Sequence, residues 1–432
     1  MNFYNLKHKE EQLNFKEATI KGQGKDKGLF FPEDISKFSN EFLQNLPNLS
    51  NEEIAFQVMK DFAGDEIPEA ELRKIVAETI AFEIPLKKVT ENISVLELFH
   101  GPTLAFKDVG ARFMSRCLGY FLKNETRKVT VLVATSGDTG GAVANGFYDV
   151  EGIEVVILYP KNRVSAVQEK QLTALGKNIH ALEVNGSFDD CQALVKQAFS
   201  DESLNEKLLL TSANSINVAR WLPQQIYYVL ALKQWLKNNS ENPVICVPSG
   251  NFGNICAGIL AHHRGLPVEH FIAACNVNDV VPEYLRTEIL QPKETVATIS
   301  NAMDVGDPSN FVRILELFDK EFNQVKNKLS GYTIDDEETL KTIERVEKDY
   351  GYVLDPHGAV AFVALEKYLA ENGGKGFFLE TAHPVKFPDS VEKATGKSVE
   401  IPKSLEELMR QEKFTTEINP QYEELKEFLL KK

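Results

Sequence analysis

The chain has 432 residues, of which 43% are apolar and 26% charged, the balance of a globular enzyme-sized protein and not of a disordered, collagen-like or disulfide-scaffold chain. At about 150 residues per domain, its length predicts roughly three domains. Lys and Arg number 48 against 63 Asp and Glu, a net charge of −15, which excludes nucleic-acid binding by bulk electrostatics and requires any anionic ligand to be held by a few local cations.

The opening Met1-Asn2-Phe3-Tyr4-Asn5-Leu6-Lys7-His8-Lys9 lacks the apolar core of a secretion signal. No stretch approaches the roughly 20 apolar residues that cross a membrane, so a cytoplasmic protein with no membrane partner is expected. Residues 1–95 read as a mainly helical module, with a glycine- and lysine-rich loop from Gly22 to Pro32. Ser50 and Glu53 have capping-box spacing. Ile54, Val58 and Phe62 then repeat every four residues until Gly64. Pro68 suits the first turn of a second helix whose apolar face is Leu72, Ile75, Val76 and Ile80.

From about residue 96, short apolar strands alternate with helix-length segments: Val129–Ser136, Glu154–Pro160, Ile179–Asn185, Leu208–Asn214, Val244–Asn251, His270–Asn276 and Phe377–His383. Near-continuous apolar strands between helices predict an α/β fold with a mostly parallel sheet covered on both faces. The last thirty residues read as charged helices, Leu405–Met409 and Tyr422–Leu430. Five scattered cysteines, Cys117, Cys191, Cys246, Cys256 and Cys275, form no CxxC pair and no zinc-spaced cluster with histidine, so reduced thiols and no metal are expected.

Four strands end in polar, small-residue turns: 135–141, 214–217, 248–254 and 380–384. Ligands of open α/β sheets bind beyond the carboxyl ends of strands, which points to one shared site. The turn Pro248-Ser249-Gly250-Asn251-Phe252-Gly253-Asn254 precedes a helix-like run, Ile255 to His262. It reads as a phosphate cradle of backbone N–H groups at a helix start, or as an ordinary strand-to-helix turn. It is neither a Walker A loop nor GxGxxG. The turn Thr135–Gly141 suits an amino-acid carboxylate, or is a set of helix N-caps using Ser136, Asp138 or Thr139. Lys107, between Phe106 and Asp108, is either a solvated charge or a desolvated amine able to form a Schiff base.

Together these segments carry a resemblance. Gly-Pro-Thr-Leu-Ala-Phe-Lys-Asp at 101–108, Thr-Ser-Gly-Asp-Thr-Gly at 135–140, Ser-Ala-Asn-Ser-Ile-Asn at 212–217, Pro-Ser-Gly-Asn-Phe-Gly at 248–253 and Thr-Ala-His-Pro-x-Lys-Phe at 381–387 resemble, in order and spacing, the threonine synthases. These are pyridoxal-phosphate enzymes of the tryptophan-synthase-β-like class, fold type II. The resemblance runs from Asn5-Leu6 through Gly28–Pro32 to Phe387. It implies two parallel-sheet α/β lobes and a small N-terminal module, divided as 1–95, 96–110 with 216–432, and 111–215.

The resemblance also implies roles. Lys107 holds the cofactor as its Schiff-base lysine and carries protons. Ser249, Gly250, Asn251, Phe252, Gly253 and Asn254 cradle the cofactor phosphate through backbone N–H groups and asparagine side chains. Asn254 stands where some members have Asp. Thr381 faces the pyridine nitrogen. Asp138 meets the ring hydroxyl where many relatives carry Asn. Ser136, Gly137 and Thr139 hold the substrate carboxylate, and Asn214, Ser215 and Arg220 the substrate phosphate. The residue pattern agrees with this last set: Asn214 and Ser215 open a long helix, and Arg220, about a turn and a half in, reaches back to an anion at its start. A salt bridge is the competing reading of Arg220. Lys170 and Lys386 are further cations that could face substrate, while His100 and His383 are proton carriers or structural histidines.

The implied reaction takes O-phospho-L-homoserine and water to L-threonine and inorganic phosphate. The departing phosphate is a candidate base for water addition. A threonine dehydratase or a β-replacement synthase keeps Lys107 and the phosphate loop without needing Arg220. A catalytically silent cofactor-binding relative and a colourless nucleotide-binding α/β protein are further alternatives. Monomer and homodimer both fit.

Overall fold

A computed structural model describes residues 1–123 and 128–431 and divides into two compact units. The first comprises Met1, residues 31–106 and residues 221–400; the second comprises residues 2–30, 107–220 and 401–432.

The first unit is built on a six-stranded sheet in the order Leu329–Thr333, His270–Cys275, Val244–Pro248, Gly376–Glu380, Ile93–Glu97, Leu86–Lys88. The first five run parallel and the last pairs antiparallel. Val244–Pro248 and His270–Cys275 are buried at every position, as expected of central strands with both faces covered. The helix Pro356–Asn372 lies on one face. Its residues Ala359–Leu365 share a core with Val95, Val244, Cys246, Ile272 and Phe378 from the strands and Ile343 and Val346 from the helix Asp336–Tyr350. Gly253–His263 packs beside Gln225–Trp235, a helix whose residues 225–232 are all buried.

The second unit holds a five-stranded, all-parallel sheet in the order Thr415–Ile418, Ile179–Val184, Ile153–Pro160, Val129–Ala134, Leu209–Thr211. Phe188–Ser200 and Tyr422–Leu430 cover one face through Leu194, Val195, Ala198, Leu425 and Leu429. The helix Lys107–Leu122 packs against Asp138–Phe147, and that helix against Ala166–Thr173.

The expected parallel α/β class is present in both units, but the division of the chain differs from the expected one. The N-terminal module is not a compact unit of its own: residues 31–95 belong to the first unit and residues 2–30 to the second. Within the first unit, Arg264 is fully buried and donates to Ser36 O, Val58 O and the Asp61 carboxylate while lying between the Phe38 and Phe62 rings. That anchor ties residues 31–95 to the helix Gly253–His263. Within the second unit, Asn217 Nδ2 donates to Thr19 O at 2.9 Å, and Phe15 meets Phe113 and Phe121. Residues 2–30 therefore fold with 107–220. The C-terminal segment, expected in the large domain, supplies the edge strand Thr415–Ile418 to the second sheet.

Local expectations fare unevenly. The Ser50 hydroxyl accepts from Glu53 N, but the Glu53 carboxylate binds Gln57 and Arg73 instead of closing the capping box. Pro68 is the N-cap of Glu69–Thr79, one position before the first turn. The Gly22–Pro32 loop contains the short helix Lys25–Lys27 and the strand Phe30–Pro32. All five cysteines are buried and free. Among the described residues no helix is long and apolar enough to cross a membrane, and no three His, Cys, Asp or Glu side chains cluster to hold a metal.

Candidate active site

In the first unit the turns after Val244–Pro248 and Gly376–Glu380 lie at the same end of the sheet, because these strands are parallel neighbours with Cys246 opposite Phe378. Ser249 is turned back into the fold: its N–H donates to Ala274 O and its hydroxyl to Val247 O, both at 2.8 Å. Gly250 passes so close to the 302–303 backbone that a Cβ would stand 2.6 Å from Met303 Cα. Asn251 Oδ1 accepts from Ser309 N at 2.8 Å, which ties the turn to residues 309–310. Phe252 adopts φ +60° as N-cap of Gly253–His263. A bulky residue in the left-handed region costs about 1–3 kcal/mol; the T-shaped contact of its ring with Phe311, centroids 5.6 Å apart, fixes it there.

Asn254 sits in the first turn of that helix and is buried. Its Oδ1 is within hydrogen-bond distance of the Tyr227 and Tyr228 hydroxyls at 2.8 and 2.7 Å. Its Nδ2 is buried and has no partner in the protein. The two tyrosines went unread in the sequence. The signal is two hydroxyls inside the apolar run Ile226–Leu232, which must find polar partners.

Thr381 follows the strand Gly376–Glu380, and its carbonyl accepts from Phe106 N at 2.9 Å. Leu98 N donates to Glu380 O, His383 N to Leu104 O, and Ala105 bridges Ala382. The segment after Ile93–Glu97 is thus pinned along the end of the neighbouring strand up to residue 106. Lys386 is buried with Nζ donating to Thr103 O at 2.8 Å, so it fastens this same segment. His100 Nε2 lies 2.6 Å from Glu97 Oε2. His383 Nδ1 accepts from Val385 N, and burial, with His100 adding to it, pushes the ring down to about 4. His383 is a neutral cap at neutral pH. Behind Thr381 lies a feature the sequence did not disclose. Glu380 is fully inaccessible, its Oε1 accepts from Asp355 N at 2.7 Å, and burial, reinforced by Asp355, pushes its carboxyl well above the usual range.

In the second unit Lys107 opens the helix Lys107–Leu122 and is largely buried, with Nζ 3.9 Å from Asp138 Oδ2. Asp138 is the first residue of Asp138–Phe147 and is itself buried. Gln168 fixes it: Gln168 Oε1 accepts from Ser165 N, which leaves Nε2 to donate to Asp138 Oδ1 at 2.9 Å. Gly137 has φ +136°, and a Cβ there would lie 2.5 Å from Gln168 Cδ; only glycine fits. The cap of this helix is none of the expected residues. Thr135 Oγ1 accepts from the N–H groups of Gly137 and Gly140 at 3.0 and 2.9 Å. Ser136 and Thr139 remain half-buried at the turn.

Leu209–Thr211 is the parallel neighbour of Val129–Ala134, Thr211 opposite Val131, so residues 212–217 leave the sheet at the same end as 135–139. The long helix expected from Asn214 starts four residues later. A turn closed by Asn217 N to Asn214 O comes first, then Val218–Trp221, the 3-10 turn Leu222–Gln224 and Gln225–Trp235 without a break. Asn217 claims the capping role, with Oδ1 accepting from Ala219 N. Asn214 and Ser215 are half-buried in this turn. Arg220 is buried, donates from Nη1 to Ala213 O, and is packed on by Gly110, whose Cβ would stand 2.6 Å from Arg220 O. Burial pushes the guanidinium down to about 10, opposed by the charge of Asp108. It is therefore a buried cation beside the 213–217 turn, within reach of the charge of Asp108. Lys170 reaches Gln411 O.

Comparison with known proteins follows this layout. A family model described as pyridoxal-phosphate dependent enzyme matches residues 80–377, one for the threonine synthase N terminus residues 2–80, and one for the threonine synthase C-terminal region residues 358–429. The threonine synthase of Haemophilus influenzae is 45% identical over 431 residues, covering all of both chains, and that of Escherichia coli 47% over 407 residues, 94% of each. The crystal structure of the Escherichia coli threonine synthase superposes with TM-score 0.93 at 44% identity over all of both chains. The pyridoxal-phosphate-bound threonine synthase of Brucella melitensis gives 0.93 at 35%, covering 99% of this chain and 98% of that one. A tomato threonine deaminase shares only the fold, at 15% identity and TM-score 0.57, covering 76% of this chain and 93% of that one. The chain belongs to the threonine synthase family of pyridoxal-phosphate-dependent enzymes.

Proposed function

We propose that the substrate is O-phospho-L-homoserine, converted with water to L-threonine and inorganic phosphate, and that the protein works in the cytoplasm. The first unit fits the cofactor's phosphate at Gly253–His263, where a helix start joins the unpartnered Asn254 Nδ2, a buried donor of the kind a phosphate oxygen satisfies. When bound, pyridoxal phosphate takes up the electron pairs left as substrate C–H bonds break.

The chain's own residues do the rest. Gly250 to Asn254 anchor the phosphate, chiefly through backbone N–H groups, while Ser249 holds the turn in place, its N–H given to Ala274 O and its hydroxyl to Val247 O. Thr381 offers a neutral hydroxyl to the ring nitrogen. Lys107 would hold the cofactor through its amine and would remove and return protons at substrate carbons. Asp138 steadies the amine from 3.9 Å and meets the ring hydroxyl, with Gln168 holding its other oxygen. Ser136 and Thr139 bind the substrate carboxylate with neutral donors, and Gly137, its own N–H held by Thr135 Oγ1, lets the carboxylate approach the turn without a Cβ in the way. Asn214, Ser215 and Arg220 take the substrate phosphate. Arg220 keeps its charge at neutral pH even with its basicity lowered to about 10. The released phosphate is the base for water addition.

One observation carries this reading: the Phe106 N–H bond to Thr381 O, 2.9 Å, holds the main chain one residue before Lys107 at the strand end that bears Thr381. Lys107→Ala, with product analysis by NMR, tests it. The expected variant is folded, lacks the borohydride-sensitive chromophore and forms no threonine. A variant that keeps both the covalent chromophore and turnover would overturn the assignment. Release of phosphate from O-phospho-L-homoserine, against release of ammonia from threonine, separates the proposed substrate from a dehydratase reaction.

A further inference from the structure

A second concentration of chemistry lies within the first unit at the carboxyl end of Gly253–His263. A cavity of about 360 Å³ is lined by Lys37, His262, His263, Phe318, Gln324 and Lys328. Four of these six are nitrogen bases and none is a carboxylate, in a chain whose net charge is −15. The ammonium groups are positioned, not loose. Lys37 Nζ donates to His263 O, and Lys328 Nζ donates to Val268 O and Glu269 O at 2.8 Å each. Carbonyl oxygens fix an ammonium in place without neutralising it. With three donors each, Lys37 retains two N–H groups and Lys328 one. The helix end offsets only about half of one positive charge, so two ammoniums leave an excess.

The histidines register that excess. His262 Nδ1 lies 2.9 Å from Leu266 O, so Nδ1 carries the proton and Nε2 is the atom that titrates. Burial lowers His262, and the charges of Lys328 and Lys37 lower it further. Burial pushes His263 down to about 4, helped by His262 and Lys37 and opposed by Asp319. On Lys328, burial is opposed by Glu269. Phe318 stands edge-on to His263 and Phe271 to His262, so neither ring brings a counter-charge.

We propose that this cavity is a binding site for a small phosphate-bearing anion, separate from the residues assigned to cofactor and substrate. Lys37 and Lys328 supply the charge, Gln324 a neutral donor and Phe318 an apolar wall. The volume falls within the roughly 300–1,000 Å³ of small-molecule pockets, which leaves room for a phosphomonoester beyond the phosphate itself. An anion seated here favours the protonated forms of His262 and His263, so binding strengthens as pH falls, and bound anion raises the pH at which both rings titrate.

The test uses the cofactor-loaded full chain with 13C-labelled histidine rings, assigned through His262→Gln and His263→Gln. Inorganic phosphate and, separately, glycerol phosphate are titrated against chloride at matched ionic strength. The expected result is a saturable shift of the His262 and His263 ring signals and a rise in their titration midpoints. Both effects should weaken at least tenfold in Lys37→Ala/Lys328→Met while the cofactor absorbance stays unchanged. Tighter binding of glycerol phosphate identifies an esterified ligand, and equal binding identifies free phosphate. Ring signals that stay still with both probes, or shift equally in the double variant, would overturn the site and reduce the two lysines to caps of backbone carbonyls.

Discussion

Gly358 offers a sharp test of how the strand end carrying Thr381 is supported. It lies in the first turn of Pro356–Asn372, its N–H donating to Asp355 Oδ1 at 2.7 Å. A Cβ at this position would stand 1.6 Å from Glu380 Oε2 and 2.4 Å from Glu380 Cδ. Glu380 is fully inaccessible, so its carboxyl cannot swing into water to make room. Gly358→Ala therefore forces the carboxyl aside, which costs about 1–3 kcal/mol as overpacking. The move also breaks the 2.7 Å bond from Asp355 N to Glu380 Oε1, leaving a buried donor unpaired at about 1–3 kcal/mol. Better helix propensity returns about 1 kcal/mol. The net expectation is a loss of about 3 kcal/mol. Gly374→Ala is the control: φ is +86° with nothing within 4 Å, so only backbone strain of about 1–2 kcal/mol applies. Guanidinium denaturation followed by circular dichroism compares the two. A second-site Glu380→Ala should recover part of the Gly358→Ala loss, since the clashing group is gone. If Gly358→Ala is no worse than Gly374→Ala, and Glu380→Ala gives no recovery, the packing described for this strand end is wrong.

The raised Glu380 carboxyl also carries a pH signature. Its folded form keeps a proton that the unfolded chain releases above about pH 4.5, so its stabilising contribution is full below that value and falls as pH rises towards the raised one. Glu380→Gln, neutral at every pH, should flatten the dependence of stability on pH above 4.5; an unchanged slope would place the titration elsewhere. Tyr228→Phe removes one of the two hydroxyls at Asn254 Oδ1, which loosens the amide that presents Nδ2. Cofactor affinity of the apoprotein, read by fluorescence titration, should fall by several fold, corresponding to about 1 kcal/mol, with a shifted phosphorus resonance of the bound phosphate. Unaltered affinity and resonance would show that the tyrosines do not orient Asn254.

The strands that sequence made legible are those buried on both faces. Val129–Ala134 and Val244–Pro248 are apolar runs with almost no interruption, so burial itself is written in them. Ile93–Glu97 escaped because Ser94 interrupts it and Glu97, an ionisable residue, is nonetheless buried against Lys87, His100 and Tyr352. Thr415–Ile418 escaped because an edge strand needs only one buried face, and only Ile418 is fully buried. At the site, the turns were readable from glycine and hydroxyl spacing, while the side chains that set them were not. Thr135 reads as the end of a strand and the start of a turn, yet its hydroxyl caps Asp138–Phe147 from three residues before the helix. Asn217 moves the expected helix start from Asn214 to Val218 by capping it there. The Glu380–Asp355 contact joins residues 25 apart through a backbone donor, and no local pattern announces a tertiary pairing of that kind.

The edge strand Thr415–Ile418 has a consequence for biogenesis. Its register beside Ala181–Val184 closes the rim of the second sheet, and it is translated long after the strand it pairs with. A ribosome adding about 5–20 residues per second therefore leaves the rim of Ile179–Val184 open for many seconds after that strand has emerged. During synthesis that rim is open to mispairing, and a holding chaperone that covers it protects the second sheet until the edge strand arrives.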